Sequence, residues 1–421
     1  MKHHAFYSTV VLAIVALLIV ACGGAAATPA AEQAPAESSA PEATAGCEDA
    51  LGCVTVAPGS TLKIASALSV SGPTESLGLD EQYGAQIALT ERGEILGFTL
   101  ELKSEDDGCS AEGGQTAATK IASDNTIVAV VGHTCSSSCT PAASIYNDAN
   151  LTMVSPSCTA PALTAEGTRQ PSFLRTAPND KVQGRVMAEF AYNELGVRTA
   201  ATIHDGSPYA EQLQQVFADV FTELGGKILA QEAINVGDTD MRPVLTSIAA
   251  QSPELLYYPI FIAEGGFITT QAREVAGLED AILAGSEGMI SPDFLKVTGD
   301  AAEGMYLSGP DLNFSGTRYD EFLAKYREVA GQDPTASFHA HTYDATNLIL
   351  DAVEKVAKTD DQGNLIIGRQ ALRDAIYATS GFDGITGSLS CDALGDCADP
   401  KISINQVQDG QFTAITGASG S

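Results

Sequence analysis

The sequence predicts a parallel α/β protein folded as two doubly wound lobes. From residue 62 onward, short β-rich runs alternate with longer amphipathic stretches, the pattern of strand–helix–strand units that feed a parallel sheet. Some nine candidate strands fall before residue 310, many for one sheet and comfortable for two. The chain has 421 residues, 44% hydrophobic and 18% charged. That is enough for two or three domains with ordinary cores, and unlike a disordered chain.

Lys+Arg number 22 against 53 Asp+Glu, a formal net charge of −31. Nucleic-acid phosphates need a basic surface, and this balance excludes nucleic-acid binding; it also argues against a polybasic membrane patch.

At the N-terminus, Lys2 and two His precede the apolar run 10–20, which ends at Ala21-Cys22-Gly23. The run is short for a membrane span and right for the hydrophobic part of a signal peptide. The small residues around Cys22 resemble the lipobox of bacterial lipoproteins. That resemblance implies cleavage after residue 21 and a diacylglyceryl group on Cys22, with two acyl chains forming a stable anchor. Residues 23–46 are mostly Ala, Pro, Glu, Ser and Thr without apolar periodicity, a tether that reaches ~80 Å when stretched. The tether is expected to run from Cys22 to residue 58. No later segment has the ~20 apolar residues of a spanning helix, so the expected place of the body is outside the cell membrane and close to it.

Candidate strands are 62–69, 98–104, 127–132, 151–155, 199–204, 227–233, 255–260, 281–285 and 305–308. One helix is especially clear: Ser207-Pro208 open it, Leu213, Val216, Phe217, Val220, Phe221 and Leu224 make one apolar face, and Gly225-Gly226 stop it. In open parallel sheets ligands bind beyond the carboxyl ends of the strands, where strand order switches. The following segments, 70–78, 133–139, 156–159, 205–209, 261–264 and 286–288, are rich in Ser, Thr and Gly with a few aromatics. They suit a small polar ligand with an apolar part.

An exported chain favours disulfides. Setting Cys22 aside, the cysteines are 47, 53, 109, 135, 139, 158, 391 and 397, and eight allow about 105 pairings. Cys47/Cys53 and Cys391/Cys397 are spaced for small clipped loops. Without a C-x-x-C pair and with only six His, metal is not expected. No cofactor motif is present: no G-x-G, no P-loop, no H-E-x-x-H and no G-x-S-x-G. His204-Asp205 with Ser136 could be drawn as a triad, but such residues occur in many exported chains, and capping of the next turn is the simpler reading. His133 reads as a structural histidine and Tyr257-Tyr258 as a buried strand. Ser136-Ser137-Ser138 reads equally well as a helix start or as an anion site of hydroxyls and backbone N–H groups.

Taken in order, Leu68-Ser69-Val70-Ser71-Gly72-Pro73, Asp106-Asp107-Gly108-Cys109, Gly132-His133-Thr134-Cys135-Ser136 and Ser155-Pro156-Ser157-Cys158-Thr159 form a series. It continues through His204-Asp205-Gly206-Ser207-Pro208-Tyr209, Asp238 to Leu245, Gly285-Ser286-Glu287-Gly288 and Thr342-Tyr343-Asp344-Ala345. Over about residues 60 to 415 this series resembles the leucine/isoleucine/valine-binding family of solute-binding proteins, which serve ATP-driven (ABC) importers. The resemblance implies the type I periplasmic binding protein fold: two Rossmann-like lobes with parallel central sheets joined by a three-crossover hinge. Lobe 1 would comprise 59–178 plus 311–386, and lobe 2 179–310 plus 387–416. It implies a monomeric binder rather than an enzyme, delivering a branched-chain or other apolar amino acid to permease and ATPase subunits. Alternatives on the same fold are a binder of short amides, urea or another small carboxylate, or a ligand-sensing protein; an exported hydrolase stands further off.

Residue by residue, the resemblance gives Ser136 and Thr159 to the ligand's α-carboxylate and the Ser157 carbonyl to its ammonium, with Cys158 between the last two. Glu287 would pair with the ammonium from the opposite lobe. Tyr209 takes the aromatic position of lobe 2, and Phe338 lines the side-chain pocket. Leu77 and Phe261 stand where relatives often carry Tyr or Trp and Tyr; both lose a polar tip and keep an apolar wall. The family bridge corresponds to Cys109–Cys135. Cys139–Cys158 is expected as an additional bridge tying the two carboxylate loops, and Cys391–Cys397 as a clip with no ligand role.

Overall fold

A computed structural model describes residues 47–314 and 316–418. The leader 1–21, Cys22 and the tether up to residue 46 lie outside the described residues.

Strand order in the first sheet is Glu94–Ile95, Phe98–Asp106, Leu62–Leu68, Ile127–Gly132, Met153–Ser155, Phe173–Arg175. Apart from the short antiparallel Glu94–Ile95, its pairings are parallel. All six residues of Ile127–Gly132 are buried, as expected of a strand covered on both faces. The chain leaves Leu62–Leu68 toward one side and returns on the other, so strand order switches between Leu62–Leu68 and Ile127–Gly132.

The second sheet runs Gln411–Ala418, Ile402–Gln408, Tyr306–Pro310, Ile282–Ser286, Leu255–Tyr257, Thr199–His204, Lys227–Ala233. Its switch point lies between Thr199–His204 and Leu255–Tyr257. The last two strands in sequence, Ile402–Gln408 and Gln411–Ala418, are antiparallel additions. The chain therefore passes between the sheets three times: after Phe173–Arg175, after Tyr306–Pro310, and before Ile402–Gln408. Between the last two passages, helices Thr317–Ala330 and His339–Val356 pack back on helix Glu75–Arg92 of the first sheet.

The helix read from Ser207-Pro208 spans Pro208–Glu223, with the Ser207 hydroxyl accepting from the Ala210 N–H at 3.2 Å. Its apolar face, including Leu213, Phe217 and Phe221, is buried in the core of the second sheet. Residues 47–58 correct the tether's expected extent. Cys47–Cys53 is a disulfide, Cys53–Val56 pairs with Leu365–Gly368, and Val54 and Val56 alternate into the core. Two buried valines at period two are enough to dock the segment as a strand.

Candidate functional site

Helix Ser136–Asp148 starts four residues after its strand, with Cys135 at the N-cap position and no side-chain cap. The first N–H groups of a helix lack intrahelical partners and carry the positive end of its dipole, so this start can receive an anion. Ser136 is buried, and its hydroxyl accepts from the Ala160 N–H at 3.2 Å. Two disulfides flank it. Cys109–Cys135 holds the helix start to the loop after Phe98–Asp106, and Cys139–Cys158 ties the first turn to the loop after Met153–Ser155. The Ser157 hydroxyl donates to the Thr134 carbonyl at 2.7 Å, fastening the same two loops.

From the second sheet come Glu287 and Tyr209. Glu287 opens the short turn Glu287–Met289 after Ile282–Ser286, is 4% exposed, and accepts from the Gln183 side-chain amide. Gly309 makes room for it: a Cβ there would lie 3.0 Å from that of Glu287. Tyr209 lies in the first turn of its helix with its hydroxyl 2.6 Å from that of Ser286, and its ring is 5.3 Å from the Phe261 ring.

These groups meet in one cavity of about 340 Å³, counting its mouth, lined by Leu77, Glu81, Thr134, Cys135, Ser136, Ser157, Tyr209, Phe261, Glu287, Gly288 and Phe338. Seven of the residues expected from sequence are therefore together: Leu77, Ser136, Ser157, Tyr209, Phe261, Glu287 and Phe338. Cys158 and Thr159 are not among the lining residues. The sulfur of Cys158 is in the disulfide, its N–H donates to the Ser155 hydroxyl at 2.9 Å, and its carbonyl accepts from Arg175. Thr159 sits just behind the wall, buried, its hydroxyl without a hydrogen-bond partner among the described residues.

Sequence reading missed three acidic or amide groups. Glu81 lines the cavity, accepts from the Thr134 hydroxyl at 2.7 Å, and is pushed up to about 8 by burial. Asp180, fully buried, is pushed well up by burial and then by the nearby charge of Glu287. Gln183 orients Glu287, whose carboxyl burial raises to about 7. Taking carboxylates out of water disfavours their charged form. A cation brought into this space would restore it. No Lys or Arg lines the cavity, so the only groups there for an anion are hydroxyls and backbone N–H groups.

The other sequence-read groups have local roles. His133 is buried between Asp107 and Tyr146, 3.1 Å from each. His204 and Asp205 accept from the N–H groups of Gly206 and Ser207 in the next turn. Tyr257 and Tyr258 are buried in the second core. Among the described residues no cluster of three or more His, Cys, Asp or Glu is placed to hold a metal ion, and no helix is long and apolar enough to cross a membrane.

Two parallel-sheet lobes with a cavity at their switch points define a type I periplasmic binding protein. Residues 61–411 match the Periplasmic binding protein family, and the chain belongs to it. It is 31% identical over 339 residues to the leucine-, isoleucine-, valine-, threonine-, and alanine-binding protein of Pseudomonas aeruginosa, covering 80% of this chain and 87% of that protein. To the Leu/Ile/Val-binding protein of Escherichia coli it is 28% identical over 344 residues, 81% and 89% of the two chains. A crystal structure of a leucine binding protein from Thermotoga maritima superposes with a TM-score of 0.76 at 26% identity, covering 85% of this chain and 98% of that one. Proteins of this family are extracytoplasmic solute-binding proteins.

Proposed function

We propose that this protein captures an apolar or small α-amino acid between its two lobes and delivers it to an ABC importer. The observation that carries the reading is that the start of helix Ser136–Asp148 and the Glu287 carboxylate line the same cavity. A zwitterion buried there needs both charges matched, because an unpaired buried charge costs several kcal/mol. Ser136, with Thr159 after a small shift of its loop, serves the carboxylate; Glu287 and the Ser157 carbonyl serve the ammonium. Leu77, Phe261 and Phe338 form the apolar wall, and Tyr209 covers the site from the second lobe. The names of the relatives, several of them binders of branched-chain amino acids, support the same choice.

In this reading lobe 1 is 59–178 plus 311–386, with 47–58 and the 389–397 loop packed onto it, and lobe 2 is 179–310 plus 398–416. The protein acts as a monomer without catalysing a reaction, is lipidated on Cys22 after loss of the leader, and hangs from the membrane beside its permease and ATPase partners.

Calorimetry on the purified protein, stripped of carried-over ligand by partial unfolding and refolding, tests the reading. The panel is leucine, isoleucine, valine, phenylalanine, glutamate, urea and acetamide. An apolar amino acid binds at micromolar or tighter affinity, and Glu287→Ala weakens it by ~2–5 kcal/mol, the range for truncating one partner of a buried charge pair. Binding of amides alone, or a loss below tenfold in Glu287→Ala, contradicts it.

A further inference from the structure

Arg175 is a fully buried cation in the last residue of the strand Phe173–Arg175, and it does not touch the cavity. One terminal nitrogen donates to the carbonyls of Cys158 and Ala160, both at 2.9 Å, which places it on either side of Thr159. The other donates to the Thr164 hydroxyl at 2.7 Å. Its Nε lies 2.5 Å from Asp396, which also accepts from Thr164 at 3.2 Å and from the Asn179 side chain at 3.0 Å. The backbone repeats the connection: the Arg175 N–H donates to the Gly395 carbonyl and the Cys397 N–H to that of Arg175.

Asp396 belongs to the loop clipped by Cys391–Cys397. That loop lies on the passage from the hairpin Phe382–Asp383/Ser388–Leu389 to strand Ile402–Gln408 of the second sheet. A guanidinium is a planar fork with five fixed donors, so an arginine held at its far side fixes the carbonyls it reaches.

We infer that Arg175 and Asp396 are positioning residues that form a latch: the clipped passage between the sheets, acting through this ion pair, sets the 158–160 loop so that Thr159 can meet the ligand's carboxylate. Movement of the passage as the lobes close is thereby transmitted to the carboxylate end of the site. The Cys391–Cys397 clip gains a role that its own spacing does not suggest. It keeps Asp396 in place, and the order it imposes lowers what the loop must lose on binding.

The inference rests on the amino-acid reading above, and two measurements separate the two. In the ligand-free protein, hydrogen exchange of the 157–160 amides is expected to speed up about tenfold in Asp396→Asn, with Ile127–Gly132 unchanged. Unchanged exchange at 157–160 overturns the latch. For ligand binding, a double-mutant cycle with L-leucine uses Asp396→Asn and Thr159→Ala. Asp396→Asn is expected to weaken binding about tenfold alone and less than about threefold beside Thr159→Ala, since residues acting through one another are not additive. An equal factor in both backgrounds, or none in either, overturns it as well. Should Asp396→Asn fail to fold, Thr164→Val removes one acceptor of Arg175 while keeping the ion pair, and takes its place with the same expected direction. If the wild-type protein binds no amino acid of the panel, the amino-acid reading falls and the exchange measurement alone decides the latch.

Discussion

The Ser136 hydroxyl accepts a hydrogen bond from the Ala160 backbone N–H at 3.2 Å. A hydroxyl that accepts from one side keeps its own proton to donate, so the Ser136 O–H stays available to a ligand in the cavity that the residue lines. It also joins the helix start to the 158–160 loop, the two pieces expected to share the ligand's carboxylate. Ser136→Ala removes a donor to a charged group and leaves a buried N–H without its acceptor. Leucine binding is expected to weaken by ~1.5–3 kcal/mol, the range for hydrogen bonds to charged groups, as measured by calorimetry. A loss under about threefold would place the carboxylate elsewhere.

Acid has opposite effects on the stability of the empty protein and on the extra stabilisation by ligand. Burial raises Glu81 to about 8 and Glu287 to about 7, from ordinary values of 4.5. Carboxyls raised in the folded state contribute stability that is full below their unfolded value and lost as pH rises through 7 and then 8. The melting temperature of the empty protein therefore falls between about pH 5 and pH 8, and Glu81→Gln flattens that slope. The ammonium of a ligand needs Glu287 ionised, so the extra stabilisation by leucine grows over the same window. Scanning calorimetry at several pH values reads both. A leucine-induced shift that shrinks as pH rises would contradict the pairing.

The Cys139–Cys158 bridge spans 19 residues of sequence, and closing a loop of that size stabilises by about 3 kcal/mol in the chain-entropy treatment. Removing it as the Cys139→Ala, Cys158→Ala pair lowers the melting temperature and also weakens leucine binding, because two loops must then be ordered by the ligand. Denaturing mass spectrometry with a thiol-blocking reagent gives the direct check: labelled Cys139 and Cys158 in the native protein would refute the bridge.

Much of the fold was legible because its strands are buried on both faces and bounded by turn residues. Thr199–His204 and Lys227–Ala233 were read to the residue. Phe173–Arg175 was missed because three residues carry no periodicity. The closing hairpin was missed although it held a signal: Asp409-Gly410, both at positive φ, is the turn between Ile402–Gln408 and Gln411–Ala418. Its strands are half polar and did not stand out. At the site, Ser136 and Glu287 came from the family resemblance; the structure places each at a turn opening just after a strand, where ligands bind in open sheets. Glu81 was not legible. It lies in helix Glu75–Arg92 beside Asp80, and both are buried, against the rule that charged residues of a helix face water. Asp80 is held by His339 and Tyr326 from the distant segment that returns to the first sheet. Partners some 250 residues away leave no local trace. Arg175 and Asp396 were hidden for the same reason, 221 residues apart.

The central claim is that one cavity grips both ends of a zwitterion. Calorimetry of the stripped protein with L-leucine, 4-methylpentanoate (no ammonium) and 3-methylbutylamine (no carboxylate) tests it most directly. Leucine is predicted to bind at micromolar or tighter affinity, and each analogue to lose ~2–5 kcal/mol for the unmatched group at Glu287 or at the helix start, roughly thirtyfold or more. Binding of 4-methylpentanoate as tightly as leucine would contradict the account, since Glu287 would then be holding nothing.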